Sequence, residues 1–167
     1  AQGPVVRSSN GMTPFGFAFS RRGTLIVSEA FGGAPDASAL SSYDLSDNTL
    51  NLVSGSVGTT ETAACWVVVT RNGRYAYTTN TGSGTVSGYR LAHDGQLSLL
   101  NADGRTAVIG AGSGPTDAAL TQNSRFLYVL NSANGTLSGF RVEANGSLWP
   151  VGTSGGLLAG ATGLAAN

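Results

Sequence analysis

The feature that most constrains this chain is a repeat of about 50 residues. Thr62 to Asn80 reads TAACWVVVTRNGRYAYTTN. It has an apolar, β-branched run from Cys65 to Val69, a turn dipeptide at Asn72-Gly73, and a second β-rich run from Tyr75 to Thr79. Such a pattern is a tight β-hairpin. Fifty positions earlier stands FGFAFSRRGTLIVSEA, with Ser20 under Thr70 and Gly23 under Gly73; 51 positions later stands TDAALTQNSRFLYVLN, with Thr121 under Thr70. Each hairpin is followed by another. Ser42-Tyr43-Asp44-Leu45, Gly88-Tyr89-Arg90-Leu91 and Gly139-Phe140-Arg141-Val142 lead into turns at Asp47-Asn48, Asp94-Gly95 and Asn145-Gly146. After the turns come Leu50-Asn51-Leu52, Leu97-Ser98-Leu99 and Leu148-Trp149-Pro150. Four short antiparallel strands in a unit of this length make one propeller blade. The expected fold is therefore all-β: a β-propeller of three four-stranded blades with spare edge strands, forming part of a six- or seven-bladed ring.

The repeat sets the boundaries. Residues 1–12, with Pro4-Val5-Val6, read as the end of a preceding blade, and blade one covers 13–57 with strands near 15–19, 24–29, 38–45 and 49–54. Ser20 to Ser41 spans 21 positions where Thr70 to Ser87 and Thr121 to Ser138 span 17, so blade one carries four extra residues between its second and third strands. Blade two covers 62–109, with an extra bend at Asp103-Gly104, and blade three covers 115–152. Residues 160–167 align with Gly114-Pro-Thr-Asp-Ala-Ala-Leu-Thr and read as the closing first strand of a further blade. Propellers close with about four to eight blades. Three blades alone would expose apolar faces and strand edges that isolated proteins avoid. The expectation is completion by a second polypeptide, such as the other half of a cleaved precursor, or by self-association.

Composition narrows the partners. Twenty-five glycines and 11% charged residues suit tight turns and buried strands rather than disorder. The net charge is zero and there is no basic run, which argues against nucleic acid or an anionic membrane surface; no apolar run of spanning length occurs either. The single Cys65 cannot form an internal disulfide and sits in the apolar run CWVVV, so a buried, inert thiol is the first reading and a reactive thiol the second. The opening AQGP without Met fits a processed mature protein or a fragment, and no signal peptide is visible.

No arrangement of residues announces a reaction. His93 is the only histidine and stands beside the turn Asp94-Gly95, so it has no second histidine for metal ligation. No Gly-x-Ser-x-Gly elbow is present, and Gly82-Ser-Gly-Thr is a loop in a β repeat. Charge, mapped onto blade geometry, is more informative. The connections that enter first strands and join second to third strands carry Glu29, Asp36, Glu61 and Asp117; the hairpin turns at the opposite face carry Arg21, Arg22, Arg71, Arg74 and Arg125. Exposed turns need polar residues in any case. The functional reading is that Glu29, Glu61 and Asp117, with Trp66, Asn80 and Asn131, line an acidic channel mouth that binds a sugar-like polyol or a cation, a divalent ion included. Asp117 occupies the inner-strand position held by Gly16, Trp66 and Gly163 in the other units, where a carboxylate must be hydrogen-bonded or paired.

At TPFGFAF, AACWVVVTRNGRYAYTTN, SGPTDAAL and FLYVLN the chain resembles the seven-bladed lactonase-like propellers, a superfamily that includes 6-phosphogluconolactonase and muconate-lactonising enzymes. It is similar over nearly its whole length to the C-terminal half of exported bacterial members that end in a strand like GLLAGATGLAA. The resemblance implies a lactonase-like hydrolase or isomerase acting on a cyclic sugar-acid ester, and an extracellular or periplasmic setting. The enzymes place an Arg-His pair in a Gly-Pro-Arg-His stretch before a first strand; here the matching stretches read Met12-Thr-Pro-Phe, Thr62-Ala-Ala-Cys and Gly114-Pro-Thr-Asp. The pair is absent from all three, so no catalytic residue carries over. Two functions follow from the sequence: a binding or scaffolding propeller that is not catalytic by itself and needs no cofactor, or a lactonase-like enzyme whose site is shared with blades outside this chain.

Overall fold

The computed structural model describes residues 3–46 and 49–167, and the expected Asp47-Asn48 turn lies outside them. Thirteen strands form three antiparallel sheets. Blade one is β1 (Pro14–Phe19), β2 (Leu25–Glu29), β3 (Ala39–Ser46) and β4 (Thr49–Gly58), paired in chain order. Blade two is β5 (Ala64–Val69), β6 (Tyr75–Asn80), β7 (Thr85–Leu91) and β8 (Leu97–Leu99), with the short β9 (Ala107–Val108) also pairing with β7. Blade three is β10 (Pro115–Leu120), β11 (Phe126–Asn131), β12 (Thr136–Val142) and β13 (Leu148–Ser154).

Turn chemistry explains the hairpins. Gly73 sits at φ +64° and its N–H donates to the Thr70 carbonyl at 2.8 Å, so the Asn72-Gly73 dipeptide supplies the left-handed residue that the turn requires. The side chains of Thr70 and Asn72 hold it: Thr70 Oγ1 donates to Asn72 Oδ1 at 2.8 Å, and Asn72 Oδ1 also accepts from the Arg74 N–H at 3.0 Å. Thr121, Asn123 and Arg125 repeat this arrangement in blade three. Every inner strand carries a bulge at the same place, between Pro14 and Phe17, Ala64 and Val67, and Pro115 and Asp117. A bulge re-aims side chains and increases local twist.

The core lies between blades, since each sheet offers alternate residues to its two neighbours. Ile26, Leu40, Val67, Tyr89, Leu91 and Leu97 fill the space between blades one and two. Tyr75, Tyr77, Leu127, Val129 and Phe140 are central to the space between blades two and three. Complete burial of a side chain such as Leu127 contributes about 2–3 kcal/mol. Tyrosine hydroxyls tie one blade to the next: Tyr89 Oη donates to the Val57 carbonyl at 2.8 Å and Tyr77 Oη to the Gly146 carbonyl at 2.8 Å.

At both ends of the series these same positions have no blade to meet. Phe15 and Phe17 on β1 are 61% and 62% exposed, and Trp149 on β13 is 62% exposed. Tyr128, the counterpart of the buried Tyr77, is only half-buried. Tyr43, the counterpart of Tyr89, accepts instead from the Asn10 N–H at 2.8 Å.

Three expectations change in detail. Pro4-Val5-Val6 forms no strand, and Val5 and Val6 are exposed, because no neighbouring edge lies beside them in this chain. Residues 160–167 likewise form no strand, though they lie against blade three, where just past β11 the Gly160 N–H donates to the Ser132 carbonyl and Ser132 Oγ to the Ala161 carbonyl. The fourth strand of blade one runs on to Gly58 rather than stopping at 54. The longer connection in blade one contains a single 3-10 turn, Phe31–Gly33, and no helix among the described residues is long and apolar enough to cross a membrane.

Candidate functional site

Glu29, Asn80 and Asn131 are one position seen three times, the last residue of β2, β6 and β11. All three are fully buried. Asn80 Nδ2 donates to Thr85 Oγ1 at 3.0 Å and Ser87 Oγ at 2.8 Å; Asn131 Nδ2 donates to Thr136 Oγ1 and Ser138 Oγ, each at 2.9 Å. Ser41 is the counterpart of Ser87 and Ser138, and its Oγ donates to Glu29 Oε1 at 2.6 Å. The residue at the end of the second strand thus clasps the third strand in every blade. Oδ1 of Asn80 and of Asn131 has no donor among the described residues.

Glu29 does more than its amide counterparts. Its Oε1 also accepts from the Gly11 N–H at 2.8 Å and from Ser9 Oγ at 3.4 Å, while Oε2 accepts from Ser56 Oγ at 2.7 Å. A buried carboxylate with these donors, and with no cation among the described residues, fastens residues 9–11 and the end of β4 to the top of blade one.

Glu61 is 1% exposed and sits in the connection between β4 and β5. Its Oε1 accepts from Arg105 Nε at 2.6 Å and its Oε2 from Thr85 Oγ1 at 2.9 Å. Thr85 also accepts from Asn80, so Glu61 and Asn80 share one network. The hydrogen bond and charge of Glu61 hold the Arg105 guanidinium above its ordinary value. Asp117 stands apart. Its Oδ1 accepts from the Ala118 N–H at 2.7 Å, and its Oδ2 accepts from the Leu164 N–H at 2.8 Å, which pins residues 160–167 to β10.

The structure therefore places Glu29, Glu61 and Asp117 at the same end of the blades but in three separate, satisfied networks, not around one open acidic mouth. Trp66 is the exception among the candidates: it projects from the bulge of β5, 40% exposed, with its N–H held by Thr79 Oγ1 at 3.1 Å. No group of three His, Cys, Asp or Glu side chains suited to a metal occurs among the described residues. Sequence reading missed Arg105 as the partner of Glu61, and it missed the serine and threonine ladder; the recurrence of Ser41, Ser87 and Ser138 was the available signal.

Cys65 is half-buried, and its Sγ donates to the Thr116 carbonyl at 3.3 Å. Burial pushes its thiol above the ordinary 9.0, and the charge of Asp117 adds to this against an opposing hydrogen bond with Thr81. Burial likewise pushes the Tyr77 and Tyr89 phenols up from the ordinary 10.0. Groups whose folded-state values are raised stabilise the fold while protonated and lose that contribution as pH climbs past their unfolded values. The melting temperature should fall as pH climbs from about 9 through about 11. A scan of melting temperature against pH that rises over this window would contradict these burials.

Twisted four-stranded antiparallel sheets in series, packed face to face with their first strands innermost, define a β-propeller fold. Among solved structures the chain is similar to the periplasmic gluconolactonase of Pseudomonas aeruginosa (TM-score 0.69, 21% identity, 91% of this chain and 45% of that one). It is also similar to a 6-phosphogluconolactonase-like protein of Bacteroides uniformis (TM-score 0.67, 19% identity, 87% and 42%) and to a protein of unknown function from Desulfotomaculum acetoxidans (TM-score 0.62, 22% identity, 90% and 45%). The chain thus spans less than half the length of each of these propellers. No protein-family model matches the sequence, and no curated protein is similar to it.

Proposed function

We propose that this chain supplies three blades of a lactonase-like propeller whose finished ring acts on a cyclic sugar-acid ester, with the reacting groups contributed by blades outside this chain. The observation that carries the reading is the fold it shares with a gluconolactonase over 91% of its length. Support for reacting groups elsewhere in the ring comes from the absence of the Arg-His pair from the three first-strand approaches and from the engagement of Glu29, Glu61 and Asp117 in internal bonds. Trp66 then serves as an apolar platform near the axis, a surface against which the faces of sugar rings stack. The unmatched faces at Phe17 and Trp149 are where further blades, on a second polypeptide that carries the reacting groups, complete the ring. The spent carboxylates equally favour a second reading, a propeller that binds a small polyol or a cation without transforming it.

Light scattering on a sizing column, intact-mass analysis of the same peak and hydrolysis of glucono-δ-lactone separate the two. Under the enzyme reading, a peak well above 16.8 kDa opens the lactone faster than buffer, and a single-chain peak does not. A ring-sized assembly that contains a second polypeptide and shows no acceleration would overturn the enzyme reading in favour of the binding propeller.

A further inference from the structure

The hairpin ends of the blades lie at the pole opposite Glu29, Glu61 and Asp117, and they carry an uncompensated positive charge. A cleft of about 520 Å³ opens there between blades two and three, and Arg71, Asn72, Arg74, Asn123 and Glu143 are among its walls. Through Thr70, Arg71 and Ser124 it joins a hollow of about 320 Å³, where the ends of the three inner strands bring Arg21, Arg71 and Gln122 together. These three are a single repeat position, one from each blade, so the repeat itself gathers them toward the axis.

What the groove offers is almost wholly donors. The ion pairs among the described residues are Arg105 with Glu61 and Arg141 with Glu143, which leaves Arg21, Arg71 and Arg74 without a carboxylate. Glu143, the one acid in the wall, is held at 2.7 Å by Arg141. Arg74 lies over the Tyr75 ring, 5.6 Å from its centroid, and Arg90 lies 5.8 Å from that centroid, which fixes the Arg74 side chain beside the cleft. The turn bonds use Oδ1 of Asn72 and of Asn123 as acceptors, so each amide presents its unspent NH2 outward. The backbone N–H of Arg71 donates to Ser124 Oγ at 2.9 Å, locking the two turns across the cleft before any ligand arrives. Guanidinium forks and amide donors, facing a hollow with a single and already neutralised acid, match an oxyanion carrying two or more charges.

We propose that this groove is a binding site for a multiply charged oxyanion group, a phosphate or a polycarboxylate borne by a small molecule. It is distinct from the axial site at the other pole and does not rest on the lactonase reading. Titration calorimetry at low salt, with pyrophosphate and citrate as the two probes and acetate as a singly charged control, tests it. At least one of the two probes should bind saturably, acetate should not, and added sodium chloride should weaken the binding. The tighter probe tells whether the group is a phosphate or a carboxylate. Arg71→Gln should weaken binding by about ten-fold or more and Arg74→Gln by a smaller factor, both with unchanged melting curves because these side chains are exposed. Arg7→Gln, outside the groove, should bind as the parent does. Failure of both probes to saturate, equal binding of acetate, or wild-type binding by Arg71→Gln would overturn the assignment.

Discussion

Replacing Glu29 by alanine should lower the free energy of unfolding by about 3–5 kcal/mol, whereas Glu29→Gln should cost only about 1 kcal/mol. The carboxylate is fully buried and accepts from Gly11 N–H, Ser9 Oγ, Ser41 Oγ and Ser56 Oγ. Truncation leaves these donors facing a void, and each unmet buried donor costs roughly 1–3 kcal/mol. Glutamine keeps a carbonyl oxygen for Ser41 and Gly11 and turns its NH2 toward Ser56 Oγ, a hydroxyl able to accept. The repeat supports this, since Asn80 and Asn131 fill the same position with amides. Urea denaturation of the two variants provides the measurement. If alanine and glutamine shift the midpoint equally and slightly, Glu29 is not the fastening described above.

Gly104→Val should cost about 4 kcal/mol or more, combining two independent penalties. Gly104 sits at φ +75°, a region that a β-branched side chain enters only under strain of roughly 1–3 kcal/mol. A side chain there would also run into the Thr59 carbonyl and Thr60 Oγ1, and overpacking of this kind adds roughly 1–3 kcal/mol. Its neighbour is Arg105, so any shift that relieves the clash moves the guanidinium off Glu61 and disturbs the Ser87 bond to the Gly104 carbonyl. A thermal melt of this variant should show a drop larger than that of any single hairpin-turn substitution on the outer surface. A melting point equal to the parent's would mean that the connection between β8 and β9 is not packed against the Thr59–Glu61 segment.

The blades were legible in the sequence because their signals are local and threefold. Gly73 and Gly95, both at positive φ, close hairpins that alternating residues already announce, and strand ends fell within a few positions of expectation. The bend at Asp103-Gly104 showed for the same reason: its turn residues interrupt a β-rich stretch. The state of the carboxylates was not legible. Whether Glu61 lines a channel or is sealed beneath Arg105 depends on the path of a connection 44 residues further along the chain, which no local pattern encodes. The sequence offered Glu29, Asn80 and Asn131 as candidates for one channel mouth, but only the serines of the neighbouring strands decide that these side chains turn inward. The arginines were easier to place, because a hairpin turn has one side open to water whatever its surroundings.

Each blade's apolar side chains are covered only by its immediate neighbours, so resistance to opening is unequal along the chain. Blade two is clasped on both flanks, by Tyr89 reaching toward Val57 and by Tyr77 reaching toward Gly146. Blades one and three each have one flank covered and one bare. In such a linear stack the outer units open first and the inner one last. The middle blade is thus a keystone, and whatever seats itself on the outer flanks would turn a frayed row of sheets into a single cooperative body.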